Sequence, residues 1–405
     1  SPGDRSASLK TSVLGATYDV EDTSRRNLFF VPSLGFASQI SDRMSWGISM
    51  YGNGGLNTTY DRNLYDETAA VAGAFAQGGP VAASQLPEGT TTSDFGLPIE
   101  NVGTLGVDLV QGIIAPTLTF KVHEKHSLGA SLLVGIQRFS ARGLGNFQCF
   151  TQTGQSIPAG AGSCAASGGA FSATPSENLT NNGSDWAYGA GVRVGWIGEV
   201  HPKLSLGAAV ASKIYMTEFD DYSELFAEDG DFDSPANFTV GLTFKPTTDL
   251  SLSFDFQRIY YEGVTSISNP GPVFSAGPPP GPALPPGGDL LGTDDGLGFG
   301  WENINVYRIG ADYRYNREWN FRAGFSYNDQ VIPDDQVLFN ILAPATPKIH
   351  GTLGFTYRPN DNSEWSFAYM HAFEETVSTS QTAFGVPGEI KMEQNAFDLS
   401  YAYKF

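Results

Sequence analysis

Hydrophobic and polar residues alternate along much of the chain with a period of two. The longest run places Trp186, Tyr188, Ala190, Val192, Val194 and Trp196 at every second position, with alanine, glycine and arginine between them. The C-terminus repeats the pattern with Phe397, Leu399, Tyr401, Tyr403 and Phe405. Successive side chains of a β-strand point to opposite faces, so the pattern predicts strands with one apolar face and one small or polar face.

Thirteen segments carry this pattern clearly. They cover residues 27–40, 44–51, 113–122, 127–139, 185–200, 204–214, 237–245, 250–261, 304–315, 319–327, 349–358, 364–371 and 395–405, and a weaker segment at 10–19 would be a fourteenth. Most are longer than the usual ~5–6 residues of a strand. Their length is close to the ~9–11 residues with which a tilted strand crosses a bilayer.

Short and long connections alternate between these segments. Six are short, at residues 41–43, 123–125, 201–203, 246–249, 316–318 and 359–363. A soluble sandwich gives no reason to place every short turn at one end and every long loop at the other. The pattern therefore predicts one all-β domain over residues 1–405, a transmembrane antiparallel β-barrel of about 14 strands with short periplasmic turns and long extracellular loops.

The two faces of the predicted strands differ in chemistry. Aromatic residues mark the ends of the apolar faces, as they do at membrane interfaces: Trp186, Trp196, Tyr313, Tyr315, Trp319, Tyr327 and Trp365. The other faces collect small and charged residues: Lys121, Arg193, Asp255, Arg308, Asp312, Arg314, Arg322 and Arg358. The apolar faces should point to lipid. A dry core containing Phe325, Phe367 and Phe397 together would contradict this interpretation.

Composition and net charge limit the classes of molecule that the protein could bind. Only 16% of the residues are charged, against about a quarter in average soluble domains. The net charge of −20 disfavours nucleic-acid binding, which depends on neutralising phosphates. The sequence from Ser1 shows no signal peptide, so we expect a mature or trimmed chain. Cys149 and Cys164 would form a disulfide in an oxidising compartment, with two free thiols as the alternative.

The loops carry few chemical motifs. Residues 218–233 contain eight carboxylates, which either bind calcium or similar divalent ions or form a solvated acidic loop. Residues 63–77 predict a helix with Leu64, Val71 and Phe75 on one face. This helix either packs on the barrel mouth or forms a hydrophobic patch through which substrates enter. We find no catalytic motif, metal site or cofactor motif, so the sequence does not predict an enzyme.

The strand at 44–51 runs directly into Gly52-Asn53-Gly54-Gly55. Glycines weaken strand pairing and permit a kink or a bulge. The pattern predicts a kinked strand at this position, and an ordinary outer turn is the alternative.

Several stretches resemble the FadL/TodX family of outer-membrane transporters for hydrophobic compounds. They are residues 51–60, 137–139 with 143–145, 213–215 with 219–222, 339–344 and 401–405. The resemblance implies a fourteen-stranded barrel that is plugged by an N-terminal hatch and carries long-chain fatty acids or aromatic hydrocarbons. Substrate would be captured among the outer loops, pass to an internal apolar pocket and leave sideways where a strand is kinked, here at Gly52, Asn53, Gly54 and Gly55.

The resemblance also implies positions for ligand contacts. By position, Arg142 and His371 match a basic and a polar residue of the family, and Phe139 lies beside the first of them. An arginine can hold a carboxylate through two hydrogen bonds, although Arg142 could equally be a rim residue that faces lipopolysaccharide phosphate. The family's Asn-Pro-Ala hatch motif is missing. Either the hatch and first strand lie outside this numbering, or the assignment of residues 1–26 is wrong.

These observations lead to one expected function with alternatives. We expect a monomer in the outer membrane of a Gram-negative-type bacterium, surrounded by lipid and lipopolysaccharide, that takes up hydrophobic small molecules passively by lateral diffusion. A general aqueous porin is the first alternative. An outer-membrane lipid hydrolase and a structural or adhesive role are further alternatives.

Overall fold

The structure is a computed structural model that describes residues 3–13, 16–66, 68, 103–156, 176–276 and 281–405. Strands dominate these residues, and the helices are short segments in the loops. In the described part of the chain, no helix has both the length and the apolar character to cross a membrane.

The strands follow one another along the chain with few interruptions. Their bounds are β1 Gly3–Val13, β2 Ala16–Thr23, β3 Leu34–Ser41, β4 Met44–Tyr60, β5 Leu105–His123, β6 His126–Arg142, β7 Asp185–His201, β8 Leu204–Ala211, β9 Tyr215–Met216, β10 Asn237–Phe244, β11 Leu250–Ile259, β12 Val273–Ser275, β13 Gly281–Ala283, β14 Ile304–Arg314, β15 Trp319–Asn328, β16 Ile349–Asn360, β17 Ser363–Thr379 and β18 Gly388–Tyr403.

Sixteen strands form one antiparallel sheet. The neighbours follow the order β2, β1, β18, β17, β16, β15, β14, β11, β10, β8, β7, β6, β5, β4 and β3, while β9 pairs with β7. The first strand pairs with the last, because Gly3–Leu9 lie opposite Gln394–Gly388. The sheet thus wraps round, and the predicted antiparallel all-β architecture is confirmed. All six predicted short turns connect neighbouring strands at the same end of the sheet.

Two predicted segments have different bounds in the structure. The strand predicted at 10–19 spans the connection between β1 and β2, and the strand predicted at 27–40 begins only at Leu34. Several strands also reach farther than predicted: β4 continues to Tyr60 and β5 already begins at Leu105. Strands of 16 to 19 residues exceed the ~9–11 that cross a bilayer, so their outer ends rise above the hydrocarbon layer.

The apolar faces point outward, as predicted. Phe325 and Phe397 are 48% and 61% exposed. Phe367 is half-buried against Phe355 on the neighbouring strand, with ring centroids 5.6 Å apart. A continuous exposed apolar surface on a folded protein is the mark of a lipid-facing barrel wall.

The inner face of the periplasmic half is polar. Hydroxyl pairs join neighbouring strands there, such as Thr117 with Ser131 at 2.8 Å and Thr243 with Ser253 at 2.9 Å. The Arg322 and Arg358 guanidinium groups pair with Asp312 and Glu364, each at 2.8 Å. This half of the barrel therefore has the wet interior that the polar face of the alternation predicts.

Candidate functional site

Loop segments close the outer half of the barrel. Residues 337–343 are buried there, and their backbone carbonyl groups accept hydrogen bonds from long strand and loop side chains. The Tyr65 hydroxyl donates to Leu338 at 2.7 Å, and the Tyr60 hydroxyl donates to Ile341 at 2.9 Å. We call residues 337–343 the plug segment. All seven of its residues are buried inside the outer half of the barrel.

A cavity of about 850 Å³ lies between the plug segment and the strands. Its apolar lining comes from Leu56, Leu109, Phe299, Trp301, Ile304 and Val306. Its charged lining comes from Arg5, Asp233, Asp255 and Arg308. Pockets of roughly 300–1,000 Å³ with mostly apolar walls and few polar groups bind small organic molecules. The cavity has the size and chemistry to hold one.

Strand β4 is broken where the glycines cluster. The register against β5 shifts between Gly52 and Gly54, which leaves Asn53 as the extra residue of a bulge. The Asn53 amide turns inward and donates to Gln111 Oε1 at 2.7 Å and to Ser234 Oγ at 3.3 Å. The predicted kink site therefore contains a bulge, and Asn53, Gly54 and Gly55 line the cavity.

The same part of β4 lacks a strand partner on its other side. The ladder with β3 ends at the pair Leu34 and Met50, and contact with the chain after β2 resumes only where Arg25 N–H donates to Thr59. Among the described residues, the edge from Tyr51 to Thr58 has no ladder partner there. We call it the open edge of β4. Because residues of this edge line the cavity, the cavity reaches the barrel wall at this point.

The chain beside the open edge is apolar and exposed. Leu28, Phe30 and Val31 are 76%, 93% and 62% exposed. Val31 lies directly over Gly52, where a Cβ would meet its Cγ1 at 2.3 Å. Exposing large apolar side chains to water is unfavourable in free energy, whereas exposing them to lipid is not. This part of the wall is therefore compatible with contact to the bilayer.

Arg5 is the most buried cation of the cavity lining. It is 7% exposed and lies on β1 opposite Met392 of β18. Its Nη1 donates to the Arg26 carbonyl at 3.2 Å, and its guanidinium lies 5.0 Å from the ring centre of Phe29. In the described part of the chain, no carboxylate forms an ion pair with it.

The acidic loop contains one internal ion pair and no metal-like cluster. Lys213 Nζ lies 2.7 Å from Asp233, and the second oxygen of Asp233 accepts the Met216 N–H at 2.7 Å. Burial, and next to it the neighbouring Asp233, raise the pKa of Asp231 to about 7. No group of three or more His, Cys, Asp or Glu side chains in the described ranges could hold a metal ion. Calcium binding by this loop stays a prediction without geometric support.

Two of the predicted apolar ligand contacts, Leu64 and Phe139, lie in the packed outer core instead of the cavity wall. Leu64 is fully buried, and Phe139 packs edge-on against Tyr222 with centroids 4.8 Å apart. Val71 and Phe75 lie outside the described residues, as does most of the predicted helix at 63–77, of which residues 64–66 and 68 are helical. A ligand role for these four residues stays a prediction.

The two predicted polar contacts lie away from the cavity lining. Arg142 ends β6 and is exposed. His371 lies on the outward face of β17, where its Nδ1 is 3.0 Å from Asn395 Oδ1, the atom that also accepts the Tyr369 hydroxyl at 2.7 Å. The structure does not bring Arg142 and His371 together, and their ligand roles stay predictions.

Cys149 is buried and disulfide-bonded, and Cys164 lies outside the described residues. Sequence reasoning did not single out Arg5 or Trp301 as cavity residues. Arg5 lies in a segment with a weak alternation signal and Trp301 in a long loop, so neither had a pattern that could place it.

Comparison with known proteins agrees with this architecture. A family model described as outer membrane protein transport protein (OMPP1/FadL/TodX) matches residues 101–405. The long-chain fatty acid transport protein of Escherichia coli O6:H1 is 27% identical over 105 residues, which cover 25% of this chain and 23% of that protein. The match thus spans about a quarter of the curated relative.

Two solved structures share the fold. The toluene transporter TodX of Pseudomonas putida superposes with a TM-score of 0.60 at 18% identity, covering 100% of this chain and 90% of TodX. A FadL homologue of Pseudomonas aeruginosa gives 0.58 at 15% identity, covering 100% and 89%. These likenesses and the outward apolar wall confirm the predicted transmembrane barrel with short periplasmic turns. The family match confirms the predicted location in the outer membrane. The chain belongs to the OMPP1/FadL/TodX family of outer membrane transport proteins.

Proposed function

We propose that the protein carries hydrophobic small molecules passively from the outer loops into its internal cavity and releases them sideways into the bilayer. Long-chain fatty acids and aromatic hydrocarbons are the substrates expected for this route. The observation that carries the proposal is that the cavity reaches the open edge of β4, beside Leu28, Phe30 and Val31.

An apolar molecule gains more free energy by leaving the cavity sideways into lipid than by passing straight through the polar half of the barrel. Each CH₂ group gains about 0.8 kcal/mol when it leaves water for an apolar medium, so an apolar solute gains nothing from entering the polar half. The plug segment closes the outer end and ion pairs such as Arg322 with Asp312 line the inner half. Among the described residues, the open edge of β4 offers a ligand in the cavity an apolar exit.

A valine at Gly54 tests the lateral route. A Cβ at Gly54 would come no closer than 3.9 Å to Gln111 Oε1, so Gly54→Val fits without moving the backbone, whereas at Gly55 it would meet the Leu109 carbonyl at 2.9 Å. We expect Gly54→Val to narrow the passage at the bulge and reduce uptake about tenfold, which is a barrier increase of about 1.4 kcal/mol. Uptake of a labelled fatty acid and of labelled toluene by cells expressing the variant measures this.

Gly112→Val is the matched control, because Gly112 faces Gly52 across the ladder and a Cβ there meets nothing within 4 Å. It should leave uptake unchanged. Both variants must show the heat-modifiable migration of a folded barrel. Wild-type uptake in a folded Gly54→Val variant would contradict the lateral route.

A further inference from the structure

We infer that a hydrogen bond between Asn53 and Ser234 sets the width of the passage from the cavity to the open edge of β4, and so limits the size of the molecules that pass. This inference rests on the proposed function, because it assigns a size selection to the lateral route. Asn53 is the extra residue of the β4 bulge, and Ser234 lies in the loop between β9 and β10. Both residues line the cavity.

A row of three amide side chains lies on the inner face of the strands next to the bulge. Asn53 of β4 donates to Gln111 Oε1 of β5 at 2.7 Å, and Gln111 lies opposite Gln137 of β6 in the ladder. Gln111 and Gln137 are buried. Residues 232–235 contact both ends of this row, and we call them the crossing segment. The crossing segment therefore spans the inner face of the sheet from β6 to β4.

The crossing segment is fixed firmly at its β6 end. Gln137 Nε2 donates to the Phe232 carbonyl at 3.1 Å. The backbone of Ser234 exchanges two hydrogen bonds with Ile214, at 3.0 and 3.1 Å. Asp233, between them, is held by the ion pair described above. Several bonds thus hold this end independently of β4.

The β4 end is joined much more weakly. Among the described residues, one hydrogen bond connects the crossing segment to β4, from Asn53 Nδ2 to Ser234 Oγ at 3.3 Å, which is longer than the usual ~2.9–3.0 Å. The bulge also lies on the open edge of β4, and a strand without a ladder partner moves more easily than a paired one. Loss of this bond should therefore let the bulge move away from the crossing segment and widen the passage.

The test compares two aromatic hydrocarbons of different bulk. Ser234→Ala removes the hydroxyl group, hardly changes the volume, and leaves the bond between Asn53 and Gln111 in place. Uptake of labelled toluene and of labelled triisopropylbenzene is measured in cells expressing the folded barrel. We expect Ser234→Ala to raise the ratio of triisopropylbenzene uptake to toluene uptake about two- to tenfold, the range given by the loss of one hydrogen bond.

A double variant separates the hydrogen bond from the size of the side chains. Asn53→Ala should raise the same ratio, and adding Ser234→Ala to it should change nothing further, because the bond is already lost. Asn178→Ala is the matched control, since Asn178 Nδ2 donates to Ser223 Oγ at 3.0 Å in the outer loops, outside the cavity lining. This control should keep the wild-type ratio.

Hydrogen exchange provides a second measurement on the same variants. Residues 51–56 should exchange faster in Ser234→Ala than in the wild type, and Asn178→Ala should not change their exchange. A wild-type ratio in Ser234→Ala, or effects that multiply in the double variant, would overturn the inference while toluene uptake still exceeds that of cells without the protein. Toluene uptake no higher than in those cells would refute the proposed function, and the inference with it.

Discussion

Asp231, in an outer loop, has a carboxyl group whose pKa lies near neutrality. It lies between β9 and β10, beside Asp233, which holds Lys213 at 2.7 Å. Burial first, and then the charge of Asp233 and a hydrogen bond to it, raise the pKa of Asp231 from the usual 3.8 to about 7. Glu228 acts in the same direction, and Lys213 opposes it. At a pH between these two values, the Asp231 carboxyl therefore carries a proton in the folded loop and has lost it in the unfolded loop.

The sign of the pH dependence follows from this difference. Between about pH 4 and pH 7 the folded loop carries more protons than the unfolded one, so its stability falls as the pH rises through that range and levels off above it. We expect amide protection of residues 213–236 in hydrogen exchange, corrected for the intrinsic rate, to decrease from pH 5.5 to pH 8. Asp231→Asn should remove most of that decrease.

Asp220→Asn provides the comparison for this measurement, because Asp220 is an exposed residue of the same loop. It should keep the wild-type pH dependence. An unchanged slope in Asp231→Asn would show that another group carries the titration.

At the scale of elements, the plug segment depends on one buried asparagine. The Asn340 amide donates to the carbonyl oxygens of Phe299 and Gln336, each at 2.7 Å, and its Oδ1 accepts the Trp301 indole N–H at 2.6 Å. Asn340 is fully buried. It therefore connects the helical turn Val337–Asn340 to the loop that carries Phe299 and Trp301, the two aromatic residues named above in the cavity lining.

Asn340→Ala should loosen the plug segment and leave the strands intact. Each buried partner left without a hydrogen bond costs about 1–3 kcal/mol. We expect faster cleavage of residues 329–348 in limited proteolysis, with an unchanged thermal transition of the barrel. Asn316→Ala, in the short turn before β15, should not alter cleavage of the outer loops. Wild-type cleavage in Asn340→Ala would mean that the apolar contacts of the plug segment suffice.

A strand can be predicted from the sequence when one of its faces contacts lipid and the other faces a polar interior. Strand β7 was predicted within one residue of its observed bounds, because one face meets lipid and the other a polar interior, so the alternation is complete. The outer part of β5 was missed. Leu105, Val107 and Leu109 are buried on the inward face there, whereas Val110 is 51% exposed on the other face. The apolar residues thus change from the inward to the outward face between Leu109 and Val110, and this change interrupts the alternation.

The same physics explains why the site was predicted only in part. The bulge was predictable, because glycines weaken pairing wherever they lie. Arg5 and Trp301 line the same cavity from distant parts of the chain. The plug segment is held by Tyr60 and Tyr65 across 281 and 273 positions, and a local pattern holds no information on such contacts. The hairpin β1–β2 carries the weakest signal since both faces are rich in polar and small residues, and Arg5 lies within it.

At the scale of the whole molecule, the barrel has a polar inner half and a closed outer half. A general porin requires a continuous aqueous path, and residues 337–342 of the plug segment are each less than a tenth exposed. A protein that passes hydrophobic molecules through its wall does not require that path. The two functions therefore differ in ion conductance more clearly than in any other property.

We expect the wild-type protein to be nearly silent in planar bilayers, because the buried plug segment occupies the outer half of the described barrel. Replacing residues 334–343 by a short glycine-serine linker should produce open channels, since the interior below is lined by hydroxyl groups and ion pairs such as Arg358 with Glu364. Shortening the periplasmic turn at 245–249 alters the other end and should leave the protein silent. Large conductance in the wild type would favour an aqueous porin, and silence of the linker variant would place the barrier to ions in the periplasmic half, where the strands rather than the loops would have to form it.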